Sequence, residues 1–117
     1  MRDLAPDITR QRLIMEGYYS IDVDEAVIKK YFDEATKALG LKMYDQPIVF
    51  SPKGEGREEN QGYDAFVPLI DSGISLYVWT NAKFLSIMVY SCKKFDTDKT
   101  TDVTKGFFGI KELETGD

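Results

Sequence analysis

The sequence predicts an α+β fold: a two-layer sandwich in which a mainly antiparallel sheet carries one long and one short helix on one face. Three observations predict it. Apolar residues recur at helical spacing through one long stretch, between residues 22 and 40. From Tyr63 to Ser91 three strand-like runs follow one another across short polar corners, the mark of an antiparallel meander. The resulting pattern, β-α-β-β-β-β-(short α)-β, sets runs of strands beside few helices, without the β-α alternation of a parallel sheet. At 117 residues with 43% hydrophobic and 30% charged side chains, residues 1–117 form a single domain, too short for two cores.

Residues 1–10 are polar and contain Pro6, which suits a loose N-terminal arm. Between Arg12 and Ser20 the apolar run Leu13, Ile14, Met15, Tyr18, Tyr19 reads as a mostly buried strand. Glu16 within it is either solvent-facing or a carboxylate aimed into a site. Asp22 is the expected N-cap of the long helix, with Glu25 three positions on and Gly40 as its stop. Val27, Ile28, Tyr31, Phe32, Ala35 and Leu39 form its apolar face. Ile48, Val49 and Phe50 are the apolar end of a second strand, bent near Pro47. Residues 51–62 hold three glycines, one proline and five charged residues without apolar periodicity. They read as a mobile loop, or as a lid over Ser72. Tyr63–Ile70, Ile74–Trp79 and Phe84–Ser91 are the three meander strands. In the middle one Ile74, Leu76 and Val78 face one way and Ser75, Tyr77 and Trp79 the other, where the aromatic rings suit a subunit interface or a ligand wall. The threonine-rich segment 93–105 supports at most a short helix around Asp98–Val103. Phe107–Leu113 reads as a final strand and Glu114–Asp117 as a tail.

Composition excludes several chemistries. Fifteen basic against 20 acidic residues, a net charge of -5, disfavours nucleic acid. No run approaches the ~18 apolar residues that span a bilayer, and the start lacks a signal peptide's apolar segment, so no membrane is expected and the location expected is cytoplasmic. The absence of histidine removes Ser-His-Asp and Cys-His catalysis and the helical His-Glu-x-x-His zinc site. One cysteine can neither close an internal disulfide nor build a structural zinc site, so no metal is expected. Acid-base work falls to carboxylates, Tyr, Lys, Cys or the backbone.

Ser72 sits at the tight Asp71-Ser72-Gly73 corner, and Cys92 lies where the next strand ends. On its own Ser72 reads as a turn residue, and Cys92 equally as a small buried apolar side chain. The run Asp71-Ser72-Gly73-Ile74-Ser75-Leu76-Tyr77-Val78-Trp79-Thr80-Asn81, with Cys92 beyond it, resembles the signature Glu-Ser-His-x-Ser-x-His-x-Trp-Pro-Glu of the bacterial and archaeal S-adenosylmethionine decarboxylases, whose cysteine falls at the matching distance. Leu13-Ile14-Met15-Glu16-Gly17-Tyr18 is similar to that family's first strand, and the resemblance covers roughly residues 11–115.

The resemblance implies a small dimeric α+β protein. In the family the serine at the Ser72 position becomes a covalent pyruvoyl group when the chain cleaves itself before that serine; the pyruvoyl then serves as electron sink for loss of carbon dioxide. The cysteine matching Cys92 is the proton donor. Tyr77 stands at the position of the processing histidine and Asp64 at that of a helper serine, while Gly73 replaces the histidine beside the modified serine. Asn81 stands where the family has a glutamate expected to bind ribose, and Arg57-Glu58-Glu59-Asn60 replaces an expected adenine-stacking aromatic. Ser72, Cys92, Tyr77 and Asp64 are therefore the candidate catalytic residues, and Glu16, Trp79, Asn81 and Asp71 the candidate substrate-binding ones. A tyrosine is a poor base at neutral pH. The reading is accordingly a diverged, unprocessed member that binds S-adenosylmethionine or a related amine or amino acid, or partners a catalytic homologue. No separate cofactor is expected, and a homodimer is. The alternative is an active pyruvoyl-dependent decarboxylase of polyamine biosynthesis.

Overall fold

The apolar face read between residues 22 and 40 folds, in a computed structural model describing residues 1–117, as helix α1 (Glu25–Leu39). Its N-cap is Asp24 and not Asp22: Asp24 is extended and its carboxylate accepts the Val27 N–H at 2.9 Å. Ile21 and Val23 pack against the core, which keeps the approach to the helix outside it. Gly40 ends α1 in the left-handed region (φ 68) that glycine adopts without strain.

Strand β1 (Gln11–Tyr18) precedes α1, and β2 (Ile48–Phe50), β3 (Gly62–Leu69), β4 (Ser72–Trp79) and β5 (Phe84–Ser91) follow it. After β5 come helix α2 (Thr97–Phe108) and β6 (Glu114–Gly116). The strands form one antiparallel sheet in the order β2-β3-β4-β5-β1-β6.

The chain after Cys92 departs from expectation. α2 runs twelve residues where at most a short helix around Asp98–Val103 was expected, and Phe107–Leu113 is not a strand. Asp96 caps the helix by accepting the Lys99 N–H. Thr100, Thr101 and Thr104 turn their hydroxyls back onto the carbonyls four residues earlier, so these side chains satisfy themselves within the helix. Phe107 and Phe108 close its last turn on Tyr31 of α1, with ring centroids 5.4 and 4.7 Å away. Gly109 stops it in the left-handed region, and the expected tail pairs with β1 as β6.

Strict alternation gives the sheet two unlike faces. Met15, Val67, Ile74, Leu76, Leu85, Ile87 and Val89 are fully buried beneath α1 and α2, each large side chain contributing about 1.5–3 kcal/mol of burial. The other face is uncovered, and its residues fall into four rows running across the strands. Trp79, Phe84 and Tyr18 form an aromatic row. Next come Phe50, Asp64, Tyr77, Ser86, Glu16 and Glu114, each directly opposite the next. Ile48, Phe66, Ser75, Met88 and Ile14 follow, and finally Gly73, Tyr90 and Arg12.

Two further segments are tied down by polar side chains. Arg10 gathers the N-terminal arm, donating to the carbonyls of Ala5 and Ile8 and to Asp3, whose carboxyl it holds below its usual range. Gln61 closes the loop read over 51–62, accepting the Gly54 N–H and donating to the carbonyls of Glu55 and Arg57. No helix is long and apolar enough to cross a membrane.

Candidate functional site

The β3–β4 hairpin turns through only Ile70 and Asp71, since Leu69 pairs with Ser72. Asp71 takes up the reversal at φ 61, a conformation that aspartate tolerates better than most residues. Register then sets the corner against the end of β5. Cys92 N–H donates to the Asp71 carbonyl at 2.8 Å. Ser72 lies opposite Ser91, and its hydroxyl donates to the Ser91 hydroxyl at 2.8 Å. Ser91 is fully buried and also accepts the Lys93 N–H at 2.9 Å. The Lys93 ammonium stands 3.7 Å from the Asp71 carboxylate, an exposed pair that adds little stability.

On the uncovered face beside this corner is a cleft of about 390 Å³. Phe66, Ser75, Met88 and Tyr90 line it, and Asp71, Ser72 and the exposed thiol of Cys92 stand at one end. Gly73 is bare for a reason. A Cβ built there would lie 2.9 Å from the Phe66 ring, so Phe66 occupies the space a larger residue would need.

Asp71, Ser72 and Cys92 thus share one end of the sheet. Tyr77 lies five residues further along β4, about 17 Å away at strand rise, and is paired with Asp64. Glu16 is in the same row, accepting the Ser86 hydroxyl at 2.8 Å. Trp79 and Asn81 are further still and hold the 51–62 loop: the Trp79 indole donates to Asn60, and the Asn81 amide to the Glu58 carbonyl. That loop therefore sits at the opposite end of β4 from Ser72.

Ser91 was not anticipated as a member of the site. Its signal was present: Leu85, Ile87 and Val89 place Ser91 on the buried face, where a hydroxyl needs a partner. Only the hairpin register shows that the partner is Ser72. No group of three or more carboxylate or thiol side chains is arranged to hold a metal ion.

Ser72 at a tight hairpin corner and Cys92 at the end of the adjacent strand thus stand on a six-stranded sheet under two helices. The sequence profile of the S-adenosylmethionine decarboxylase family matches residues 12–117, and the chain belongs to that family. Among solved structures it is similar to the adenosylmethionine decarboxylase of Aquifex aeolicus VF5. The two share 18% identity and a TM-score of 0.68, over 93% of this chain and 88% of that one. At that identity the likeness bears on the fold. No curated protein matches the chain in sequence.

Proposed function

We propose that this chain is an unprocessed member of the family that binds a small cationic amine or amino acid, S-adenosylmethionine among the candidates, in the cleft beside Ser72. One observation carries the reading. The Ser72 hydroxyl donates its proton to Ser91, a neutral alcohol whose lone pairs are already engaged by Ser72 and Lys93. Tyr77 and Asp64, at the helper positions, lie about 17 Å along the strand. A hydroxyl attacks a peptide carbonyl only when a base takes its proton, and no side chain bonded to Ser72 does so. The cleft itself suits a cation with an apolar body: Tyr90 and Phe66 offer ring faces, Met88 a soft wall, and Asp71 a carboxylate at the mouth. The free thiol of Cys92 fits a reducing, cytoplasmic setting.

Intact mass of the purified protein tests the first half, with a single full-length species expected after prolonged incubation. A thermal-shift series with S-adenosylmethionine, its decarboxylated form, polyamines and basic amino acids tests the second. No shift with any of them removes the ligand claim.

A second reading has its own support. The Cys92 N–H polarises the Asp71 carbonyl, and Asp71, the residue before Ser72, holds a left-handed φ of 61. These favour self-cleavage to a pyruvoyl decarboxylase of polyamine biosynthesis, the group supplying an electron sink for decarboxylation. Two fragments divided between Asp71 and Ser72, the second trapped on an amine substrate by cyanoborohydride, would establish it in place of the first.

A further inference from the structure

Strand β2 lies at one edge of the sheet, and only β3 pairs with it. Antiparallel pairing turns the N–H and C=O of successive residues alternately to one neighbour and to the other. The Pro68 carbonyl accepts the Tyr44 N–H, and the Ile70 N–H donates to the Lys42 carbonyl, so the even-numbered residues of β3 face the chain that leads into β2. Gln61, odd-numbered, gives its carbonyl instead to the Thr80 N–H beyond β4. Asp64 and Phe66 are therefore the residues that bond β2, and their partners Phe50 and Ile48 spend their backbone groups on the sheet. Val49, between them, turns its N–H and C=O outward. Pro47, just before the strand, has no N–H to offer, so Val49 is the one place on β2 where another strand can form a full pair.

A cleft of about 520 Å³ lies at this same edge, lined by Glu25, Val49, Phe50, Ser51, Lys53 and Tyr63. Val49 and Phe50 are consecutive in a strand and point to opposite faces. Both line the cleft, so it wraps around the edge of β2. It shares no residue with the cleft beside Ser72. Its walls are unlike. Val49, Phe50 and the ring of Tyr63 make the strand side apolar, while Glu25, the first residue of α1, brings a carboxylate to the helix side. Lys29 stands 3.9 Å from that carboxylate, a long and exposed pair that leaves it open to a closer cation. Lys53, two residues past Ser51, repels a cation from the other side and directs it towards Glu25.

We infer that the free edge of β2 receives an extended segment of another protein as an added strand, and that this segment carries an Arg or Lys opposite Val49 between two apolar residues. Residues directly opposite one another in an antiparallel pair share a face. The residue that exchanges both backbone hydrogen bonds with Val49 therefore sends its side chain to the helix side, into the cleft. A long aliphatic stem covers Val49 and the Tyr63 ring there, and its cationic head meets Glu25. The residues before and after it turn the other way, beside Ile48 and Phe50, which are exposed at the rim of the sheet. Main-chain bonds supply the attachment, and the alternation of side chains supplies the selectivity. With a single anchoring residue the strand docks in one register, which keeps the edge from pairing without limit.

Three short peptides probe the intact chain: Thr-Val-Arg-Val-Thr, its counterpart Thr-Val-Glu-Val-Thr, and the arginine peptide methylated on the arginine backbone nitrogen. In amide correlation spectra the arginine peptide is expected to move the Val49 N–H downfield in a saturable way and to slow its exchange with solvent. Its affinity is expected to exceed that of the glutamate peptide by at least about tenfold, and Glu25→Lys to reverse that order. The methylated peptide lacks one of the two hydrogen bonds to Val49 and is expected not to bind. Val49→Pro removes the outward donor without touching a bond of the sheet and is expected to abolish binding; if that variant fails to fold, the methylated peptide on wild type decides the matter. Binding indifferent to methylation overturns the inference, as does a Val49 amide that no peptide shifts. A Val49 amide already protected in the free protein, through pairing of this edge with a second copy, overturns it as well.

Discussion

At the scale of single residues, the Ser72 corner is held by a pair of hydroxyls. Ser91 accepts from both Ser72 and the Lys93 backbone; removing it leaves two donors without a partner, a loss of about 1–3 kcal/mol. In a double-mutant cycle with Ser72→Ala and Ser91→Ala, denaturant unfolding is expected to show a coupling of about 1 kcal/mol; additive losses would mean that the hydroxyls act separately. Gly73 is coupled to Phe66 in another way. Gly73→His alone is expected to lower stability by about 1–3 kcal/mol as an overpacked substitution, and Phe66→Ala in the same chain is expected to recover part of that loss; thermal melts of the two variants check it. Tyr31 carries the clearest titration. Its hydroxyl is buried against Thr104 at 2.8 Å, and since the Thr104 proton goes to the Thr100 carbonyl, Tyr31 is the donor. Burial pushes its pKa up to about 12, whereas an unfolded tyrosine titrates near 10. The folded state keeps a proton that the unfolded chain gives up, so this contribution is complete below about pH 10 and is lost as pH rises through about 12. A fall in unfolding free energy of about 2–3 kcal/mol is expected across that window, absent in Tyr31→Phe.

At the scale of elements, α2 depends on its cap. Asp96→Ala removes the acceptor for Lys99 N–H and is expected to cost about 1 kcal/mol, seen as a lower denaturant midpoint with unchanged slope. The same helix shows how far local pattern reaches. α1 was legible because six apolar residues recur on one face and glycine closes it, and the meander because its strands alternate between polar corners. α2 was legible only in its middle, because threonine is a poor helix former by intrinsic preference and nothing local reveals that Thr100 and Thr104 bond within the helix. Phe107 and Phe108 resemble the start of a strand until Tyr31, distant in sequence, supplies the surface they cover. The site divides the same way. Ser72 and Cys92 were readable from motif and strand ends, and their common location follows from hairpin register. Ser91, and the use of Trp79 and Asn81 to hold a loop, belong to pairings between strands that no local spacing records.

At the scale of the whole molecule, the sheet order β2-β3-β4-β5-β1-β6 gives the bond before Ser72 a meaning independent of chemistry. Everything up to Asp71 supplies β1, α1, β2 and β3, and everything after it supplies β4, β5, α2 and β6. Within the sheet these halves interleave: β3 meets β4, β5 meets β1, and β1 meets β6. α1 packs on α2 across the same divide through Tyr31 and Phe108. Segments 1–71 and 72–117 expressed together are therefore expected to copurify and to melt in one transition; recovery of either alone as a folded species would contradict this. A nick at this position removes one covalent link and leaves three strand seams and a helix contact to hold the pieces. The molecule is built like two hands with fingers laced, and it keeps its shape whether or not the wrists are joined.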